Sequence, residues 1–174
     1  MLVQVFRCLA GLWSIDTGSI TKPGGGKALA GKVFYLPQKP YQVLGTLFDQ
    51  ISYPAAHDPA HLTEEMAGEI LDEVELGDMT PLGNNCSRWA AFSHRWRRVS
   101  GYLAERPDIF TKETNWEEDI SLGEKQRLAI ARLIYHKPTY AILDECTSAV
   151  SSVCEERLYW MLVQHGITYM CVCL

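Results

Sequence analysis

Val3, Phe6, Leu9, Leu12 and Trp13 recur at helical spacing and stop near Gly18, so the chain is expected to open in or just before a helix. Thr17 to Ile20 then reads as a turn and a short strand, and Lys22-Pro-Gly-Gly-Gly-Lys27 as a glycine loop. Lys32-Val-Phe-Tyr-Leu36 is a compact strand halted by Pro37-Gln38-Lys39-Pro40. Thr46 to Ile51 predicts a short helical turn before Tyr53-Pro54. Thr63 to Leu76, with a T-x-x-M start at Thr63 and Met66 and apolar Ile70, Leu71 and Val74, predicts an amphipathic helix.

The second half of the pattern is more orderly. Ser121 and Glu124 form an S-x-x-E capping box, followed by helix formers as far as Lys137-Pro138. Tyr140-Ala-Ile-Leu143 is a short apolar strand that delivers Asp144-Glu145 at its carboxyl end. Ile167 to Leu174 is apolar and β-branched, which predicts a strand buried on both faces. Strands alternating with helices in this way give an α/β fold.

Composition narrows the class without changing that picture. The chain has 174 residues, 47% hydrophobic and 21% charged, with a formal charge of −5, as expected of about one globular domain rather than a disordered or collagen-like chain. A pI near 5.5 gives no general footprint for nucleic acid. A mean hydropathy of −0.08, with no apolar run of roughly twenty residues, predicts no membrane span. The six cysteines, Cys8, Cys86, Cys146, Cys154, Cys171 and Cys173, are scattered and read as reduced structural thiols. Cys171 and Cys173 lack a second Cys/His pair at zinc spacing, and Pro59 between His57 and His61 predicts a loop rather than a metal-binding helix. The stretch from Gly83 to Lys112 interleaves Arg88, Arg95, Arg97, Arg98 and Arg106 with Trp89, Phe92, Trp96 and Tyr102; we expect an exposed insertion with solvated arginines rather than a nucleic-acid site.

Two places carry candidate chemistry. Gly24 to Lys27 is not one of them: a phosphate loop needs GxxxxGK[ST] between a strand and a helix, whereas Ala28 follows this lysine and a strand comes next. Ser121 with Gly123 in the first helical turn leaves backbone N–H groups at a positive helix end, suited to phosphate. Asp144 and Glu145 lie where open α/β sheets bind ligands; an aspartate there can hold Mg²⁺ on a nucleotide, and a glutamate can orient or deprotonate water.

The run SLGEKQRLAIARLIYHKPTYAILDECTSAVS, from Ser121 to Ser151, resembles the signature motif, Walker B strand and D-loop of an ATP-binding cassette (ABC). Phe34-Tyr-Leu-Pro-Gln-Lys-Pro-Tyr41 is similar to the Q-loop, and Gly45 to Pro54 to the segment after it. The wording is most like subfamily D, the peroxisomal acyl-CoA half-transporters, and covers most of the chain outside 83–112. The resemblance implies a P-loop NTPase-like ABC cassette with a helical signature subdomain, using ATP and Mg²⁺. It implies that Gln38 senses Mg²⁺ and the attacking water, that Asp144 holds Mg²⁺, and that Glu145 is the general base. Ser121, Gly123 and Glu124 would face the ATP of a second cassette, with Ser148 and Ala149 in the D-loop crossing the dimer seam. The implied partners are that second cassette and the transmembrane domain of a parent half-transporter, on the cytosolic face of the peroxisomal membrane or of a glycosome-type organelle, with no nucleic acid.

The chain departs from the family pattern at three places. Ile120-Ser-Leu-Gly-Glu124 stands where the family usually reads LSGGE, so Leu122 replaces a glycine. The family's P-loop is expected just before Phe6, where the chain has Met1-Leu-Val-Gln-Val5, and its switch histidine falls at or near Leu174. These departures predict a cassette incomplete at both ends that hydrolyses ATP poorly as an isolated chain. The alternatives are a degenerate non-catalytic cassette, a cassette ATPase acting on DNA or ribosomes, or a lysosomal cobalamin-type transporter of the same subfamily.

Overall fold

The computed structural model describes residues 5, 8, 13–21, 32–76 and 109–172. Val5 and Cys8 lie in helix, while the expected glycine loop, most of the 83–112 stretch, and Leu174 fall outside the described residues. Residues 13–21 turn at Gly18, whose φ is 93°, and hold bends rather than the short strand expected there.

A parallel sheet organises the domain. Strand β1 (Val33–Leu36) and strand β5 (Thr168–Val172) flank strand β4 (Tyr140–Asp144), with Leu36 opposite Leu143 and Val172 opposite Asp144. Ala141, Ile142 and Leu143 are buried, as a central parallel strand requires. Strand β5 differs from its expectation of burial on both faces: Thr168 is exposed and Met170 is 51% exposed. It is the outer strand of the described sheet, so one of its alternating faces has no covering layer among the described residues.

The helical part packs beside this sheet. Helix α1 (Leu47–Ser52) starts from Thr46, whose hydroxyl and backbone N–H both engage Asp49 in a capping box. Helix α2 (Glu64–Glu73) is capped by Thr63, which accepts from the Met66 N–H as its T-x-x-M start suggests. Strands β2 (Leu44–Gly45) and β3 (Thr114–Asn115) pair antiparallel, and the short helix α3 (Trp116–Asp119) follows directly. Trp116 is buried and donates its indole N–H to the Gly45 carbonyl at 2.8 Å, which locks the two strands together.

Helix α4 (Leu122–His136) runs through the centre and buries Leu128, Ala129, Ile130, Ala131, Leu133 and Ile134. Ile109 and Phe110, at the far end of the 83–112 stretch, are buried in the same core, and Phe110 stacks on Phe48 with centroids 5.0 Å apart. Helix α5 (Ser152–Gln164), capped by Ser151, returns the chain from β4 to β5. No helix among the described residues is long and apolar enough to cross a membrane.

Two of the described thiols are core groups. Cys146 and Cys154 are buried, and burial, reinforced by Glu75, pushes the Cys154 thiol up to about 12. Cys154 is therefore expected to resist iodoacetamide in the folded chain at pH 8 and to react on unfolding, as mass spectrometry of the alkylated peptides would read. Full labelling of the native chain would contradict this. The raised value also carries a sign: the neutral thiol is favoured by folding, so its contribution is intact below about pH 9 and is lost as pH rises towards 12.

Candidate functional site

The site forms at the carboxyl ends of β1 and β4, which pair in register with Tyr35 opposite Ile142. β4 ends on Asp144, whose 7% exposure follows from its place in the central strand. The Tyr35 hydroxyl donates to Asp144 Oδ2 at 2.8 Å, fixing one carboxylate oxygen from the neighbouring strand. Glu145 turns the chain out of the sheet with φ of 47°, a left-handed conformation uncommon for a non-glycine residue and concentrated at functional turns.

Beyond β1 the chain reaches Gln38, whose amide Nε2 donates to Glu145 Oε2 at 2.6 Å. The sequence reading thus named two residues, 107 positions apart, that the fold brings into contact. Asp144 adjoins this pair through the chain, and the Ser148 N–H donates back to the Glu145 carbonyl at 3.3 Å, closing the turn.

Ser121, Gly123 and Glu124 stand at the start of α4. Glu124 Oε2 accepts from both the hydroxyl and the backbone N–H of Ser121, at 2.6 and 2.8 Å, and the Glu124 N–H donates to Ser121 Oγ. The expected capping box is therefore present, and it occupies the Ser121 hydroxyl with Glu124. Leu122 and Gly123 contribute first-turn N–H groups that lack intrahelical acceptors, the electropositive end an anion would meet. Leu122 is 41% exposed, so the residue standing in a glycine position crowds nothing.

Close approach occurs one residue on. A Cβ on Gly123 would lie 2.8 Å from the Ala149 carbonyl oxygen, a backbone atom with no rotamer to retreat into. Gly123→Ala is expected to push the start of α4 away from the 147–150 turn and to destabilise the chain by about 1–3 kcal/mol. Thermal unfolding measures this, with Leu122→Ala as the comparison expected to change little; an unchanged midpoint for Gly123→Ala would remove the close contact.

Sequence reasoning missed several residues that hold the site in place. Gln126, fully buried, donates to the Gln38 carbonyl at 3.2 Å and to Ser148 Oγ at 3.0 Å, and accepts from the Ala149 N–H at 2.9 Å. Arg132 is also buried and donates to the carbonyls of Gln50 and Tyr41 at 2.6 and 2.7 Å. Lys125 Nζ contacts the carbonyl and the carboxylate of Glu117, and hydrogen bonds from Lys39 and Lys125 hold the Glu117 carboxyl below its usual range. All three belong to a helix whose apolar spacing hides polar residues placed on its buried side. Only the pairing of long-range segments shows their partners.

The donor set suits a hard cation better than a soft one. It offers the Asp144 and Glu145 carboxylates and the Gln38 amide, and no group of three or more His, Cys, Asp or Glu among the described residues could hold a metal by itself. That is the pattern of Mg²⁺ brought with a phosphate ligand, where the protein supplies one or two carboxylates and the substrate supplies further oxygens. His57 and His61 do lie in a loop, where His57 stacks on Phe48 and His61 contacts Asp58, both accounted for by local packing.

A parallel sheet with a carboxylate pair beyond its central strand, beside a capped helix, is the α/β class whose ligand sites lie beyond the carboxyl ends of the strands. The family described as ABC transporter matches residues 4–148, and the chain belongs to that family. Its curated relatives sharpen this to subfamily D: it is 44% identical to ABC transporter D family member 1 of Arabidopsis thaliana over 88% of its length, covering 10% of that protein. It is also 38% identical over 97% of its length to ATP-binding cassette sub-family D member 3 of Mus musculus and to sub-family D member 1 of Drosophila melanogaster, covering 22% and 20% of them. The chain therefore spans about a fifth or less of the relatives it matches. Among solved structures, a bacterial Atm1-family ABC exporter with ATP bound shares its fold, with a TM-score of 0.67 at 19% identity, over 98% of this chain and 27% of that one. The chain is an ATP-binding domain of a subfamily D ABC transporter.

Proposed function

We propose that this domain hydrolyses ATP at a composite site shared with a second cassette, and that hydrolysis drives fatty acyl-CoA import across the peroxisomal membrane by the parent half-transporter. The observation that carries the catalytic part is the Gln38–Glu145 contact at 2.6 Å, beside Asp144 at the end of β4. Glu145 takes the proton of the attacking water, and Gln38, whose amide already bonds that carboxylate, holds it in place beside the water. Asp144, steadied by Tyr35 on one oxygen, would hold Mg²⁺, which supplies charge neutralisation on the transferring phosphoryl group. The amides of Leu122 and Gly123, at the start of α4, would hold the terminal phosphate of ATP bound on the opposite cassette. Residues 1–174 act as the ATP-binding domain of the parent subunit, with Ile109 and Phe110, at the end of the 83–112 stretch, contributing to its core rather than to an exposed insertion.

The cargo rests on the subfamily D resemblance, and the test separates it from the chemistry. The complete subunit, reconstituted in liposomes, is expected to hydrolyse ATP and to raise that rate on addition of long-chain acyl-CoA, because a cargo that binds one state of the transporter better shifts its population. Stimulation by cobalamin instead of acyl-CoA would overturn the cargo while leaving the ATPase intact. Absence of hydrolysis under every condition would overturn the catalytic reading.

A further inference from the structure

We propose that Gln126 is a positioning residue that ties Gln38, Glu145 and the 148–149 turn to helix α4 so that they move together. The proposal rests on the roles assigned above to Gln38, Glu145 and Ser148. A glutamine side chain has two N–H donors and one carbonyl, and all three are used here across two other segments. One N–H reaches the Gln38 carbonyl, the other reaches Ser148 Oγ, and the carbonyl receives the Ala149 N–H.

These bonds close a ring. Gln126 holds the backbone of Gln38, the side chain of Gln38 donates to Glu145, the carbonyl of Glu145 accepts from Ser148, and Ser148 returns to Gln126. Gln126 itself is 0% exposed, so no water replaces a bond that breaks. A shift of the 148–149 turn against α4 therefore leaves a buried donor or acceptor unmade, and the same shift pulls on the backbone from which Gln38 points at Glu145. Gly123 on the same helix reinforces the link, because its missing Cβ lets α4 lie against the Ala149 carbonyl. Leucine in this position could fill the volume, and glutamate could still accept from Ala149, yet neither donates to Gln38. Only the amide serves both neighbours.

The decisive variant is Gln126→Glu, which keeps size and acceptor and removes both donors. The buried carboxylate is expected to lower the melting temperature, so the readouts are taken well below the transition: in the 174-residue chain, the side-chain amide resonance of Gln38 is expected to shift and to exchange faster with solvent, with the rest of the amide spectrum retained. In the complete subunit, kcat for ATP is expected to fall by about ten- to a hundredfold with KM within about twofold, the signature of displaced catalytic groups rather than lost binding. In a Gln38→Ala background the same change is expected to cost clearly less in kcat than in the parent, because the Gln38 side chain that Gln126 aims is gone and only its hold on the 148–149 turn remains. Additive losses, an unmoved Gln38 resonance, or a fall in kcat that only follows lost stability would each overturn the proposal. Should the complete subunit prove inactive, the catalytic reading falls by itself, and the Gln38 resonance still decides whether Gln126 positions that residue.

Discussion

Glu145→Gln is expected to reduce ATP turnover by the complete subunit by at least about a hundredfold while leaving ATP affinity within about twofold, since general-base contributions run from about 10² to 10⁴. The amide matches the carboxylate in shape and still presents an oxygen to Gln38 Nε2, so the 2.6 Å contact has a successor. What it lacks is the basicity to take a proton from water. Glu145→Asp is the instructive partner, because it keeps the base and shortens its reach away from Gln38. A profile in which Glu145→Gln turns over at the parental rate would remove Glu145 from the chemistry, and single-turnover kinetics with ATP would show it directly.

Arg132→Met is expected to destabilise the domain by about 3–5 kcal/mol, because hydrogen bonds to a charged group run at about 1.5–3 kcal/mol and buried acceptors left unmade add to the loss. Arg132 is 3% exposed, and among the described residues it forms no ion pair with a carboxylate. It is solvated by the carbonyls of Tyr41 and Gln50 and by the side-chain oxygens of Gln42 and Gln50, with the Tyr53 ring 5.2 Å away. Burial lowers its pKa to about 10, so it stays charged at neutral pH. Arg132→Lys keeps the charge but not the planar fork, and is expected to recover less than half of the loss. Urea unfolding of the three proteins tests this, and a Met variant within about 0.5 kcal/mol of the parent would show that the fork contributes nothing net.

How far these partners could be read in advance depends on their range along the chain. The S-x-x-E start of α4 and the apolar run ending in Asp144 are local patterns, and both stand where the sequence puts them. The T-x-x-D box at Thr46 is equally local, and it caps the expected helical turn as the helix Leu47–Ser52. Tyr35, Gln126 and Arg132 carry no local signal, because each acts across a packing contact made by segments far apart in sequence. The misreading of β5 has the same origin: apolar residues record a strand, but whether Met170 is covered depends on which layer lies beyond it.

The left-handed turn at Glu145 governs how substitutions there should be interpreted. A backbone φ of 47° is tolerated by glycine, asparagine and aspartate and resisted by β-branched side chains. Changes at this position therefore fall into two kinds: amides and short acids keep the corner and report on the basicity and reach of the side chain, whereas valine, isoleucine or threonine would also unwind the corner that aims Gln38, Glu145 and Ser148 at one another. A dead enzyme from the second kind says little about the base, and a living one from the first kind says a great deal.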